Sequence, residues 1–136
     1  MITGIGLDIV ELGRVRRLDG KSAKFRERIL TENELAEYDR LTGNRKAEFL
    51  AGRFAAKEAF GKAKGTGIGK MCAFQDIEIR KDSNGKPSVF FREQEDGLVS
   101  ITHTKEYAAA QILLQTTKMQ AVENDGDKLQ TDKSNN

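Results

Sequence analysis

The chain has 136 residues, 23 of them Lys or Arg and 21 Asp or Glu, for a formal net charge of +2. With 38% apolar residues and 13 glycines it has the means for a packed core despite a high charged fraction of 32%, which excludes disorder throughout and points to one domain. One Cys and one His exclude an internal disulfide and a structural zinc site, and no run of about 18 apolar residues is present to cross a membrane.

Residues 2–10 alternate, with Ile5, Leu7 and Ile9 on one side and Gly4, Gly6, Asp8 and Val10 on the other, which predicts a strand. The face holding Gly4, Gly6 and Asp8 carries no bulk over its first half, so another backbone or a ligand can come close. An acid at position 8 and the lack of a basic leader region argue against a secretory signal, and the single Cys72 fits a reducing, cytoplasmic setting. Residues 11–28 hold seven bases against three acids and predict a basic helix interrupted at Gly20.

Thr31 with Glu34 reads as a capping box that opens a helix to about Leu41. The segment from Arg45 to Lys64 predicts a long helix with Leu50, Phe54, Glu58 and Lys62 at i, i+4 spacing, so that one side passes from apolar to ionic. GTGIG at 65–69 is a predicted loop. Strands are expected from Phe74 to Arg80 and from Pro87 to Phe91, hinged on Ser83-Asn84-Gly85. After a turn at Glu95-Asp96-Gly97, a strand from Leu98 to Thr104 sets Val99, Ile101 and His103 on one face. Residues 106–115 suit helix by propensity and a last strand by position, and the strand is preferred only on the resemblance given below. Residues 117–136 read as a polar tail beyond a domain of residues 1–116.

Two glycine motifs fail as nucleotide signatures. GIGLDI lacks a third glycine and a following helix start, and GTGIGK has Lys64 in place of the first glycine and Met71 in place of the hydroxyl residue. With a single His, a bound divalent cation must be held by oxygen. Magnesium takes one or two carboxylates and fills its octahedron with water and phosphate oxygens, a requirement that Asp8 and Glu58 meet. The plainer alternatives remain open: Asp8 as a strand-end acid, Glu58 with Lys62 as a surface ion pair, and His103 as incidental. Residues 40–70 hold eight bases, among them Arg53, Lys57 and Lys62, against Glu48 and Glu58. Beside a Gly-rich loop they form a set able to neutralise a polyphosphate, although a solvated basic helix has the same composition.

The blocks GIGLDIVE, FLAGRFAAKEAFGKAKGTGIG and SITHTKEYAAAQILL, with the turn NGKP, resemble holo-acyl-carrier-protein synthase, the short class of 4'-phosphopantetheinyl transferases. The resemblance covers residues 1–115 and implies an α+β fold, a long helix packed on an antiparallel sheet, assembled as a homotrimer with active sites between subunits. It implies magnesium-dependent transfer of phosphopantetheine from coenzyme A to a serine of an acidic acyl carrier protein, releasing 3',5'-ADP, in support of fatty acid biosynthesis. By position, Asp8 and Glu58 match the family's magnesium ligands, Lys62 a lysine on the diphosphate, and His103 a histidine near the nucleotide phosphates. Arg45 and Arg53 match 3'-phosphate contacts, Gly65 and Gly67 the adjoining loop, and Asn84 to Pro87 the adenine border. Arg14, Lys21, Lys24 and Arg28 lie in the helix that receives the carrier. Glu58 itself, or a metal-bound water or hydroxide relayed through it, is the expected general base.

One departure from the family pattern is Gly61, whose mid-helix cost of about 1 kcal/mol relative to Ala suggests that it makes room for ligand. Nucleic acid is a poorer partner, because the excess charge is small and no aromatics interleave the basic runs. A rival reading is a non-catalytic trimeric module that binds a nucleotide or an acidic protein; another is a different magnesium-dependent phosphotransferase.

Overall fold

The computed structural model describes residues 1–116, so the predicted polar tail lies outside the described residues. The chain opens with β1 (Ile2–Glu11) and continues through α1 (Leu12–Lys21), α2 (Lys24–Ile29), α3 (Glu32–Arg40) and the long α4 (Asn44–Lys64). A 3-10 turn (Phe74–Asp76) leads into β2 (Ile77–Lys81), followed by β3 (Pro87–Phe91), β4 (Gln94–Glu95), β5 (Leu98–His103) and β6 (Tyr107–Gln115). One antiparallel sheet has the order β1-β6-β5 and a second the order β2-β3-β4, giving the expected α+β architecture.

Helix α4 lies at the centre. Ala55, Ala56, Ala59 and Phe60 are buried against Ala110, Ile112 and Leu114 of β6 and against Ile77, Ile79 and Val89 of the second sheet. Nearer its start, Leu50 and Ala51 meet Leu12 and Val15 of α1, Ile29 of α2 and Leu30 just after it. A helix covered on several sides needs small residues where a sheet comes closest, and here both partners are small. A Cβ on Gly6 would fall 1.8 Å from the Ala59 carbonyl oxygen, and one on Gly4 would fall 2.3 Å from that of Ala63. The backbone that the bare face of β1 admits is therefore α4. Gly6→Ala is expected to cost at least about 1–3 kcal/mol, since backbone must shift to accept the methyl. Chemical denaturation measures this, and wild-type stability would contradict the packing.

Three local expectations are corrected. The basic helix is two helices broken at Ser22-Ala23, not at Gly20, and the Ser22 hydroxyl accepts from the Lys24 amide at 3.1 Å. Phe74–Asp76 forms the 3-10 turn in place of strand, held by the Asp76 carboxylate, which accepts from the Ala73 amide at 3.1 Å. Gly61 makes room for protein: a Cβ there would lie 2.8 Å from the Gly67 carbonyl carbon, and the Gly67 amide donates to the Gly61 carbonyl at 2.9 Å. The glycine loop thus folds back on the end of α4.

Candidate active site

Asp8 lies opposite Ala110 on the inner face of β1, the next inward position after Gly4 and Gly6. The same close approach that brings Gly6 against Ala59 therefore brings Asp8 beside the flank of α4 that carries Glu58 and Lys62, one helical turn apart. The Lys62 ammonium donates to Asp8 Oδ1 and to the Leu7 carbonyl, both at 3.0 Å, while its side chain stays 53% exposed. Burial pushes the Glu58 carboxyl above the usual carboxylate range, and the charge of Asp8 pushes it further; Lys62 and Arg28 oppose the shift. Two acids remote in sequence are thus close enough to repel, and Lys62 is paired with one of them.

Glu58 also lines an apolar cavity of about 380 Å³, walled by Phe25, Ile29, Phe54 and Phe74 and bordered by Arg14 and Arg28. Lys21 and Lys24 do not line it; they are exposed at the α1–α2 junction.

A second cavity, of about 480 Å³, gathers Arg45, Arg53, Pro87 and His103 with Glu48 and Lys81. Arg53 is 4% exposed, stacked at 4.2 Å on the Phe49 ring, and its Nε and Nη2 have no hydrogen-bond partner among the described residues. Glu37 stands 3.8 Å from Nη2, an ion pair beyond hydrogen-bond reach. Burial lowers the Arg53 pKa from its usual range, against the pull of Glu34 and Glu37. Arg53 is thus a buried guanidinium with N–H groups unpaired among the described residues, in the lining of a groove that also carries Arg45, Lys81 and His103.

Gly65 and Gly67 lie elsewhere. Gly65 ends α4 at φ +83°, and at about 1.5 Å rise per residue the 21 residues of α4 separate it from Arg45 by about 30 Å. One chain does not bring these glycines to the groove that holds Arg45 and His103.

Lys57 is a further correction. Far from facing a polyphosphate, its ammonium is fully buried and donates to Glu34 Oε1 at 2.6 Å, the Ile29 carbonyl at 2.7 Å and the Phe74 carbonyl at 3.2 Å. Burial lowers its pKa, and the Glu34 charge opposes the shift. Glu48 and Lys81 were not marked by sequence reasoning; the contact of Glu48 with His103 spans distant segments, and no local signal points to it.

Strand β1 and helix α4 thus bring Asp8, Glu58 and Lys62 together, and Arg45, Arg53, Lys81 and His103 line a separate cationic groove. The chain matches the family model of the 4'-phosphopantetheinyl transferase superfamily over residues 4–113 and belongs to that family. Among its relatives, the holo-[acyl-carrier-protein] synthase of Bacillus subtilis is 60% identical over 117 residues, 85% of this chain and 97% of the relative. That of Geobacillus kaustophilus is 55% identical over 116 residues, 85% of this chain and 90% of the relative. The crystal structure of a holo-(acyl-carrier-protein) synthase from Bacillus anthracis in complex with CoA (3',5'-ADP) superposes with a TM-score of 0.78 at 51% identity, covering 86% of this chain and 99% of that one. The synthase of Neisseria meningitidis gives a TM-score of 0.77 at 37% identity, covering 85% of this chain and all of that one.

Proposed function

We propose that this chain transfers 4'-phosphopantetheine from coenzyme A to a serine of an apo acyl carrier protein in a magnesium-dependent reaction that releases 3',5'-ADP, with residues 1–116 as the catalytic domain. The observation that carries this reading is the Asp8, Lys62, Glu58 constellation beside an apolar, Arg-rimmed cavity, in a chain that also carries a separate cationic groove. The one buried free thiol, Cys72, suits a cytoplasmic setting.

The residues fit magnesium. Lys62 already stands in for a cation on Asp8, the two acids repel without one, and their donors are hard oxygens. Among the described residues no cluster of three or more ligating side chains occurs, so the ion would hold two protein carboxylates and keep positions for water and phosphate. Bound there, it supplies charge neutralisation for the pyrophosphate oxygens.

Phosphoryl transfer asks mainly for positioning and charge. The carrier serine hydroxyl attacks the phosphorus that bears the pantetheine arm, its proton passes to Glu58 directly or through one water, and the bond to the leaving 3',5'-ADP breaks. Glu58 suits the base because its carboxylate lines the Arg-rimmed cavity to which the carrier would be steered. Lys62, half exposed, can turn from Asp8 to offset charge on the leaving group. Arg45, Arg53 and His103 would hold the nucleotide phosphates, with Asn84 to Pro87 at the adenine. Arg14 and Arg28, supported by Lys21 and Lys24, would steer the acidic carrier to the cavity that exposes Glu58.

Assembly completes the site in this reading. Ile5, Leu7 and Ile9 are 61%, 62% and 64% exposed on the outer face of β1, a contiguous apolar stripe that calls for cover. A homotrimer joined there would bring Gly65, Gly67 and Lys62 of one subunit near the Arg45 and His103 groove of another. Leu7→Asp is expected to yield folded monomers and to lose transfer by about 10²-fold or more, the scale of a misplaced reacting group. Light scattering with an activity assay tests it; an active monomer would refute the shared site.

The function itself is tested by incubating the chain with magnesium, coenzyme A and an apo carrier, then weighing the carrier. A gain of one phosphopantetheine is expected. No gain, with retained 3',5'-ADP binding, would leave a binding module.

A further inference from the structure

Helix α2 has six residues, too few to hold by themselves in water, yet it carries Phe25, Arg28 and Ile29 into the wall of the cavity that exposes Glu58. No glycine closes its C-terminal end: the chain leaves the helix in extended backbone at Leu30, and both Ile29 and Leu30 are 1% exposed. From Arg26 to Leu30 every carbonyl nonetheless has a donor. Arg26 accepts from the Leu30 amide at 2.8 Å, and Ile29 accepts from the buried Lys57 ammonium at 2.7 Å. One side chain meets the other three. Gln75, in the 3-10 turn before β2, donates from its amide nitrogen to the carbonyls of Glu27 at 2.8 Å, Leu30 at 2.7 Å and Arg28 at 3.2 Å, so the longest of these bonds is shared.

We propose that Gln75 is a positioning residue for the carrier-docking wall: by closing the C-terminus of α2 it sets where Phe25 and Arg28 stand relative to Glu58. The assignment rests on the proposed reading of this cavity as the place to which the carrier is steered. Two anchors divide the task. Lys57 is buried and ties Ile29 to α4, which keeps α2 attached to the core whatever happens at the surface. Gln75 is exposed, does not line the cavity, and holds the outer carbonyls of the last turn. Its neighbour Phe74 does line the cavity, with the Arg28 guanidinium over its ring at 5.7 Å, so the same turn fixes both the backbone and the side chain of Arg28.

Gln75→Met keeps the length and neutrality of the side chain and removes the donor. It is expected to raise KM for an apo carrier by roughly 10-fold, about one ordered hydrogen bond, while kcat and KM for coenzyme A stay close to wild type. Amides of residues 28–30 should exchange hydrogen faster in the free protein, because the last turn opens locally. Tm should fall by no more than about 4–8 °C, since Lys57 keeps its bonds. In an Arg28→Ala background, Gln75→Met should add a smaller factor than it does alone, because the two act through one helix end.

Steady-state kinetics with each substrate varied in turn, and hydrogen exchange read by mass spectrometry, test this together. A direct contact between Gln75 and the carrier would raise the carrier KM but leave exchange in the free protein unchanged, and that result would overturn the assignment. So would a parallel rise in both KM values, the mark of general loosening, or full additivity with Arg28→Ala. Wild-type chain that modifies no carrier overturns the transfer reading itself, whereas an active wild type with an unresponsive Gln75→Met variant overturns the Gln75 role alone.

Discussion

Glu58→Gln is expected to lower phosphopantetheine transfer by about 10²- to 10⁴-fold, the span of a lost general base, or further if an ion is lost with it. The amide keeps the size of the side chain but can neither accept the serine proton nor bring a charge to a cation shared with Asp8. Because Glu58 is only partly buried and repelled by Asp8, removal of its charge should leave the fold intact or slightly steadier. Single-turnover mass spectrometry of the carrier, with a thermal melt of the same sample, separates the two effects. A folded variant with wild-type turnover would remove Glu58 from the mechanism.

The second large effect concerns stability. Glu34 is 1% exposed; its Oε1 accepts from Lys57 at 2.6 Å and from the Thr31 amide at 2.9 Å, and its Oε2 accepts from the Ile79 amide at 2.9 Å. One carboxylate therefore closes the capping box of α3, neutralises the buried ammonium of α4 and satisfies an amide of β2. Glu34→Ala is expected to cost about 3–5 kcal/mol, because it strands a buried charge, a large share of the roughly 5–15 kcal/mol that holds a domain together. Adding Lys57→Met should restore part of the loss. Recovery is incomplete because the Thr31 and Ile79 amides stay unpaired. Urea denaturation of the single and double variants measures this; a Glu34→Ala protein as stable as wild type would contradict the network.

These two residues also show what could be read from sequence. The capping-box role of Glu34 is local, spans three residues and was legible from Thr31 onward. Its bond to Lys57 crosses 23 residues and was not, so Lys57 read as one more surface base beside Glu58. Of the main sheet, β1 and β5 were legible because they alternate, whereas β6 suits helix equally by propensity and was read as strand from the family resemblance; its register sets Ala110 opposite Asp8 and Ile112 opposite Gly6. The break at Ser22-Ala23 and the turn at Phe74–Asp76 rest on single side-chain to backbone bonds, which leave little trace in a hydrophobic pattern. For the site, spacing alone left Asp8 and Glu58 as ordinary acids. The family resemblance joined them, and the glycines of β1 supply the physical reason that strand and helix approach closely enough for the acids to interact. The separation of Gly65 and Gly67 from Arg45 was already implied by the helix read from Arg45 to Lys64, because a helix of that length holds its ends about 30 Å apart.

The most direct test of the account is calorimetric titration of Mn²⁺, as a magnesium surrogate, into the assembled protein with coenzyme A bound. The account predicts one strong site per chain in the wild type and loss of that site in both Asp8→Asn and Glu58→Gln. Wild-type affinity in both variants would show that these two acids do not share a divalent ion.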